Sequence, residues 1–214
     1  MAYFTRHAGK FRLSGVIATL CKHAPIWVAV SVLLLGSAAG TGAKTYLETA
    51  LSSLRNLPKD SRIREDLEAE IVARANAYRQ SKGVERLLAS PLLRDAARAQ
   101  AVDMMLNGYV GHRASTGHEF DSRMRVFLGS PMRLPQMAEN AARDTQKGEA
   151  DAAKAGRLFQ QWVNSRPHRK TLLNSGYKFV STGVVQRGNK IWAVQIFFAQ
   201  LPEGVKVLGG GGLY

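Results

Sequence analysis

Apolar residues recur at helical spacing three times after residue 60 of this chain. Ile63, Leu67, Ile71, Ala75 and Tyr78 form the first stripe, with Asp60 or Ser61 as its cap and Gly83 as its stop. The second runs from Ser90-Pro91 to Asn107-Gly108 and buries Leu93, Ala97, Ala101 and Met104. Proline in a first turn forfeits no helical hydrogen bond. The alanines at 96, 97, 99 and 101 predict close approach to another helix or to a sheet. A third stripe, over about 150–164, puts Ala155, Leu158, Phe159 and Trp162 on one face.

The pattern then changes period. Lys178 to Arg187 and Lys190 to Ala199 are rich in Val, Ile, Phe and Trp, and Gly188-Asn189 separates them. Two such runs around a two-residue glycine loop predict a β-hairpin. Met137 to Ala142 reads as a short edge or central strand. Residues 108–136 show neither period and are rich in Gly, Arg and Pro. A structureless segment of that length inside a domain is functional or disordered. Residues 45–58 make a short amphipathic stretch with Tyr46, Leu47, Leu51, Leu54 and Leu57 before Pro58. Its apolar side links the preceding segment to the domain, or lies on a membrane surface. These elements predict one α+β domain.

The N-terminal pattern differs again. Eighteen residues from Ile26 to Ala43 carry no charge, with Arg6, Lys10, Arg12 and Lys22 before them and Lys44 after. A membrane-spanning helix needs about 20 residues. A retained anchor would leave the basic flank in the cytoplasm, with Trp27 at the interface. A cleaved signal would use Thr41-Gly42-Ala43 as its cleavage site. A buried helix of a soluble protein is the third reading. The expected partition is a basic leader over 1–24, an anchor or signal over 25–43, a linker over 44–60, a domain over 61–201 and a flexible tail over 202–214. The first two readings export the domain. It is then anchored in the inner membrane and faces the periplasm or exterior, or is secreted if 1–43 are removed.

Charge and cysteine narrow the partners. The formal net charge is +14, and the four leader cations leave ten of these to 44–214. Such an excess favours anionic partners. Export removes access to DNA and RNA, so no nucleic acid is expected. The charge then serves an anionic membrane surface, a cell-envelope ligand, or solubility alone. Cys21 is the single cysteine and precedes the apolar run, so the body holds neither a disulfide nor a cysteine-ligated zinc. A lipoprotein anchor is unsupported for the same reason.

Five segments, in order, resemble the CAP superfamily of cysteine-rich secretory, antigen 5 and pathogenesis-related proteins, in its bacterial branch. They are Asn76-x-Tyr78-Arg79, the alanine-rich helix leading to Gly111-His112-Arg113, the run Ala138 to Ala142, Trp162 to Leu173, and the closing hairpin. The likeness covers roughly 70–201. It implies an α-β-α sandwich, a small antiparallel sheet between helical layers, with a cleft around two histidines and two acids. His112, Glu139 and His168 match three of these positions. The fourth, three residues after Trp162, is Ser165 in place of Glu, and Ala138 stands where many members have Gly.

Two imidazoles and a carboxylate are the ligand set of many catalytic zinc sites, so the resemblance makes zinc or another divalent metal a candidate at His112, Glu139 and His168. The spacings of 27 and 29 residues form no local metal motif. An alternative catalytic set is Ser165 as nucleophile, His168 as base and Glu139 as orienting group. Ser165 also reads as a cap or turn hydroxyl at a helix end. His168 reads equally as a histidine bonded to backbone carbonyls, and Glu139-Asn140 as side chains tying the 108–136 segment to a strand. Trp162 is expected in the core, Trp192 in the core or cleft wall, and His118 in solvent. The arginines at 113, 123, 125, 133, 143, 157, 166 and 169 are expected mostly in solvent, with some at the cleft mouth. Binding of a cell-envelope lipid, glycan or protein is the leading function. Hydrolysis and a purely structural role are the alternatives.

Overall fold

The computed structural model describes residues 45–129 and 134–201. The expected leader, the apolar segment 25–43 and the tail 202–214 lie outside the described residues. In chain order the elements are α1 (Tyr46–Arg55), β1 (Ser61–Ile63), α2 (Glu65–Ser81), β2 (Leu88–Ala89), α3 (Arg94–Asn107), α4 (Phe120–Leu128), β3 (Met137–Asp144), α5 (Ala152–Asn164), α6 (Arg166–Leu172), β4 (Phe179–Arg187) and β5 (Lys190–Phe198).

The expected hairpin is the centre of the sheet. β4 and β5 pair antiparallel from Phe179↔Phe198 to Arg187↔Lys190. Gly188 turns the chain at φ +58°, in the left-handed region that glycine enters without a Cβ penalty. β3 pairs antiparallel along the far side of β5, which makes it an edge strand. β1, antiparallel, and β2, parallel, share the other side of β4.

Alternation along the strands sends side chains to two faces. Val180, Val184, Ile191, Ala193 and Phe197 join Leu67 and Ile71 of α2, Leu158 and Trp162 of α5, and Leu172 of α6. Val185, Trp192, Val194, Ile196 and Phe198 join Ala97 and Met104 of α3, Met124 of α4 and Leu54 of α1. Helices thus cover both faces of the sheet. Trp162 and Trp192 are both core residues. The alanine-rich helix approaches as closely as its composition predicts: a Cβ on Gly183 would lie 2.3 Å from the Arg98 nitrogen of α3.

Four local expectations change. The first long helix begins at Glu65, not at Asp60 or Ser61, because Ser61–Ile63 pairs with β4 and Ile63 lies opposite Val185. Three acids in its first turn, Glu65, Asp66 and Glu68, complement the helix dipole. The second begins at Arg94, since Ser90 precedes the helix and bonds the strand, its N–H reaching Val180 C=O at 2.8 Å. Within 108–136, Phe120–Leu128 is the helix α4. The stretch expected as a linker contains α1, capped by Thr45 and Glu48 and packed on the α3 face. Among the described residues no helix is long and apolar enough to cross a membrane.

Several polar residues act as internal fasteners. The Asn76 side chain bonds both the N–H and the C=O of Leu87, at 2.7 and 3.0 Å. Buried Arg79 donates to the carbonyls of Glu85, Leu172 and Asn174. Buried Lys154 donates to those of Gln146, Gly148 and Asn189, pinning the 145–149 turn to the hairpin loop.

Candidate functional site

The three matched residues lie at the β3 edge of the sheet. Glu139 is on β3, His112 follows α3, and His168 is on α6. Polar bonds from α3 shape the segment that carries His112. Gln100 Nε2 donates to Gly111 C=O at 2.8 Å, and Asp103 accepts from the Tyr109 hydroxyl and the Ser115 N–H. On the other side, Asn140 Nδ2 donates to the His168 carbonyl at 3.2 Å and fastens α6 to β3.

A residue that sequence reasoning placed among surface arginines organises the site. Arg123 of α4 has a fully buried side chain, as does Glu139 to within 1 %. Arg123 Nη2 donates to Glu139 Oε2 at 2.8 Å and to the His112 carbonyl at 2.9 Å. Glu139 Oε1 lies 2.9 Å from His112 Nδ1. Arg123, Glu139 and His112 therefore close a ring of contacts. The signal was present in α4: Phe120, Met124, Phe127 and Leu128 form a stripe at helical spacing, and Arg123 falls inside it. A cation on such a face is either displaced or buried against an acid.

The ring of contacts fixes the chemistry of His112. A carboxylate oxygen only accepts, so Nδ1 carries the hydrogen and Nε2 is left without a hydrogen bond among the described residues. The His112 side chain is 52 % exposed. Its bond to Glu139 raises its pKa above the ordinary imidazole value; burial and the Arg123 charge oppose that shift. His168 is shifted the other way, first by burial and then by the neighbouring His112. The two rings stand edge to face, with centroids 6.5 Å apart. Alongside β3 runs a cleft of about 470 Å³, walled by Val110, Arg143, Trp162, Ser165 and His168, with Ala141 beneath.

The residues present do not fit a three-ligand metal site. Both Glu139 oxygens are engaged, one by the Arg123 cation. Two imidazoles on one tetrahedral zinc, each with an N–Zn bond of about 2.0–2.1 Å, hold their ring centroids roughly 5 Å apart; here they are 6.5 Å apart. No group of three His, Cys, Asp or Glu that could hold a metal occurs among the described residues. The catalytic alternative is equally incomplete. Ser165 joins α5 to α6, and its side chain makes neither a cap bond nor a bond to His168. Glu139-Asn140 do tie the 108–136 segment and α6 to the strand. His118, expected in solvent, is half-buried and lies tilted against the Tyr46 ring of α1, with 4.6 Å between centroids.

Comparison with known proteins agrees with the resemblance. A family model described as CAP, the cysteine-rich secretory protein family, matches residues 72–197. The chain belongs to the CAP family. The chain is 34 % identical over 129 residues to the uncharacterised protein YkwD of Bacillus subtilis, covering 60 % of this chain and 46 % of that one. The chain thus spans about half the length of this curated relative. A Bacillus anthracis extracellular protein containing an SCP domain superposes with a TM-score of 0.54 at 21 % identity, over 75 % of this chain and 45 % of that one. An outer surface protein of Borrelia burgdorferi also gives 0.54, at 14 % identity, over 66 % and 99 %. These likenesses establish the fold of the CAP domain as the bacterial type.

Proposed function

We propose that this CAP protein is exported and binds an anionic cell-envelope ligand, lipid, glycan or protein, in the cleft beside His112 and His168. The carrying observation is the engagement of both Glu139 oxygens, which turns the acid into a support that presents His112 Nε2 outward. The raised pKa of His112 favours an imidazolium donor at the cleft mouth, and the lowered pKa of His168 a neutral imidazole beside it. That pair, with Arg143 nearby, suits a phosphate or carboxylate group. Ser165 without a base favours binding over hydrolysis.

Export rests on the uncharged run at 26–43 behind a basic leader. Relatives of the same fold described as extracellular and outer surface proteins agree with it. Residues 25–43 serve as anchor or as cleaved signal. Fractionation of the full chain separates the two: full-length mass in membranes marks an anchor, a shorter soluble product a signal.

Ligand binding is tested by titrating the full chain in detergent with soluble muropeptide and with short-chain phosphatidylglycerol, following the His112 and His168 ring resonances. One of them is expected to move the His112 resonances, and His112→Ala to abolish its binding. Binding undiminished in that variant would sink the assignment of the site.

A further inference from the structure

The two edges of the sheet are not alike. Short β1 and β2 cover parts of the outer side of β4, whereas β3 presents eight residues as the opposite edge. In an antiparallel ladder, alternate residues turn both main-chain groups toward the partner strand or away from it. Ala199 N–H donates to the C=O of Gln136, its register partner, at 3.0 Å. The even-numbered residues of β3 therefore bond β5, and Glu139, Ala141 and Arg143 face outward. Gln161 Nε2 meets the outward carbonyl of Arg143 at 3.0 Å, as this alternation requires.

Ala141 is left over, as are the outward main-chain groups of Glu139, which have no partner among the described residues. The N–H and C=O of Ala141 have no protein partner among the described residues. Ala141 is nevertheless only 5 % exposed, on the floor of the cleft. Buried main-chain groups are almost always paired, with protein, water or ligand. One donor and one acceptor side by side on a strand edge match a single residue of another strand.

We propose that the β3 edge at Ala141 receives a short extended segment of another protein as an added strand, with an acidic side chain opposite Ala141. This rests on the cleft being a binding site and names its occupant. Directly opposed residues share a face of the sheet. The face of Ala141 also carries Arg143 and Glu139, the latter holding His112. An acidic side chain there meets basic groups, and its two neighbours turn toward Trp162, Ser165 and His168. A lipid phosphate offers acceptors alone and leaves the Ala141 carbonyl unmet. The Arg143 carbonyl, already taken by Gln161, ends the free edge on that side, and a segment of about three residues, at 3.3 Å each, suffices to pair with it.

The test uses the full chain in detergent and a fluorescein-labelled, end-capped Ala-Val-Glu-Val-Ala peptide, followed by anisotropy. Ala141→Pro removes the outward N–H and spares the β5 ladder, a substitution that edge strands accept; circular dichroism checks its fold. The variant is expected to weaken binding about tenfold, as is N-methylation of the peptide glutamate, which removes the N–H facing the Ala141 carbonyl. Replacing that glutamate with lysine should also lose binding. Peptide affinity unchanged by N-methylation overturns strand addition while leaving the cleft reading intact, and this arm decides if the proline variant misfolds. Absence of peptide binding overturns the proposal. Muropeptide or phosphatidylglycerol binding lost in His112→Ala then preserves the cleft reading, and no binding of any probe overturns both.

Discussion

The two neighbouring histidines of the site are held by opposite means. His112 is gripped through its ring by Glu139, itself held by Arg123, so a buried charge sets its tautomer and raises its pKa. His168 is held through its backbone carbonyl by Asn140, and no hydrogen bond constrains its ring among the described residues. Burial lowers its pKa. Two residues matched by the same family pattern therefore carry different chemistry. Their supports decide it.

The largest test of this asymmetry removes the support. Glu139→Ala strands the Arg123 cation without a counter-charge and is expected to cost about 3–5 kcal/mol in denaturant unfolding. The pair Arg123→Met with Glu139→Leu should recover much of that loss, because buried charges are expensive whether or not they are paired. A single variant as stable as wild type would break the account.

A milder test keeps the shape. Glu139→Gln preserves the side-chain outline but weakens the bond to His112, and the His112 midpoint measured by NMR should fall toward an ordinary imidazole. His168 should hold its lowered midpoint, since burial is the larger cause. An unmoved His112 midpoint would remove Glu139 as the cause of the shift.

The two histidines also oppose each other in pH dependence. The His112 contribution to stability is complete below the unfolded pKa, near 6.5, and is lost as pH rises through its higher folded pKa. For His168 the folded pKa is the lower one. Stability is then lost as pH falls from about 6.5 through that value, because the unfolded chain takes up the proton first. Unfolding of His112→Ala across pH 5–8 should retain only the acid-side loss, and His168→Ala only the alkaline-side one.

The smallest expected effect is at Ser165. Ser165→Ala should change stability by no more than about 0.5 kcal/mol, since its hydroxyl has no hydrogen-bond partner among the described residues. A large loss would restore a role for the hydroxyl.

How far the site was legible depends on the range of each contact. Glu139, His112 and His168 could be named from family pattern, yet the pattern says nothing of their partners. Arg123 was passed over because eight arginines looked alike in sequence. Only the fold of the 108–136 segment into α4 selects the one whose guanidinium points inward. The tight stripe around it in α4 was readable, but glycines and prolines on either side hid its period. Ile63 shows the reverse case: its helical spacing was real, but pairing with Val185 claimed it for a strand.

The sequence by itself determined the amphipathic stripes, the hairpin about Gly188-Asn189, the tight approach of an alanine-rich helix and membership of the family. These are written in local periodicity and turn chemistry, which a single segment carries alone. Tertiary structure decided that Glu139 supports His112 instead of offering a free metal ligand, and that Ala141 faces outward with unmet main-chain groups. Both depend on register and on burial against distant elements. Those are properties of the assembled chain, because a side chain's partners and its dielectric surroundings exist only once the segments meet.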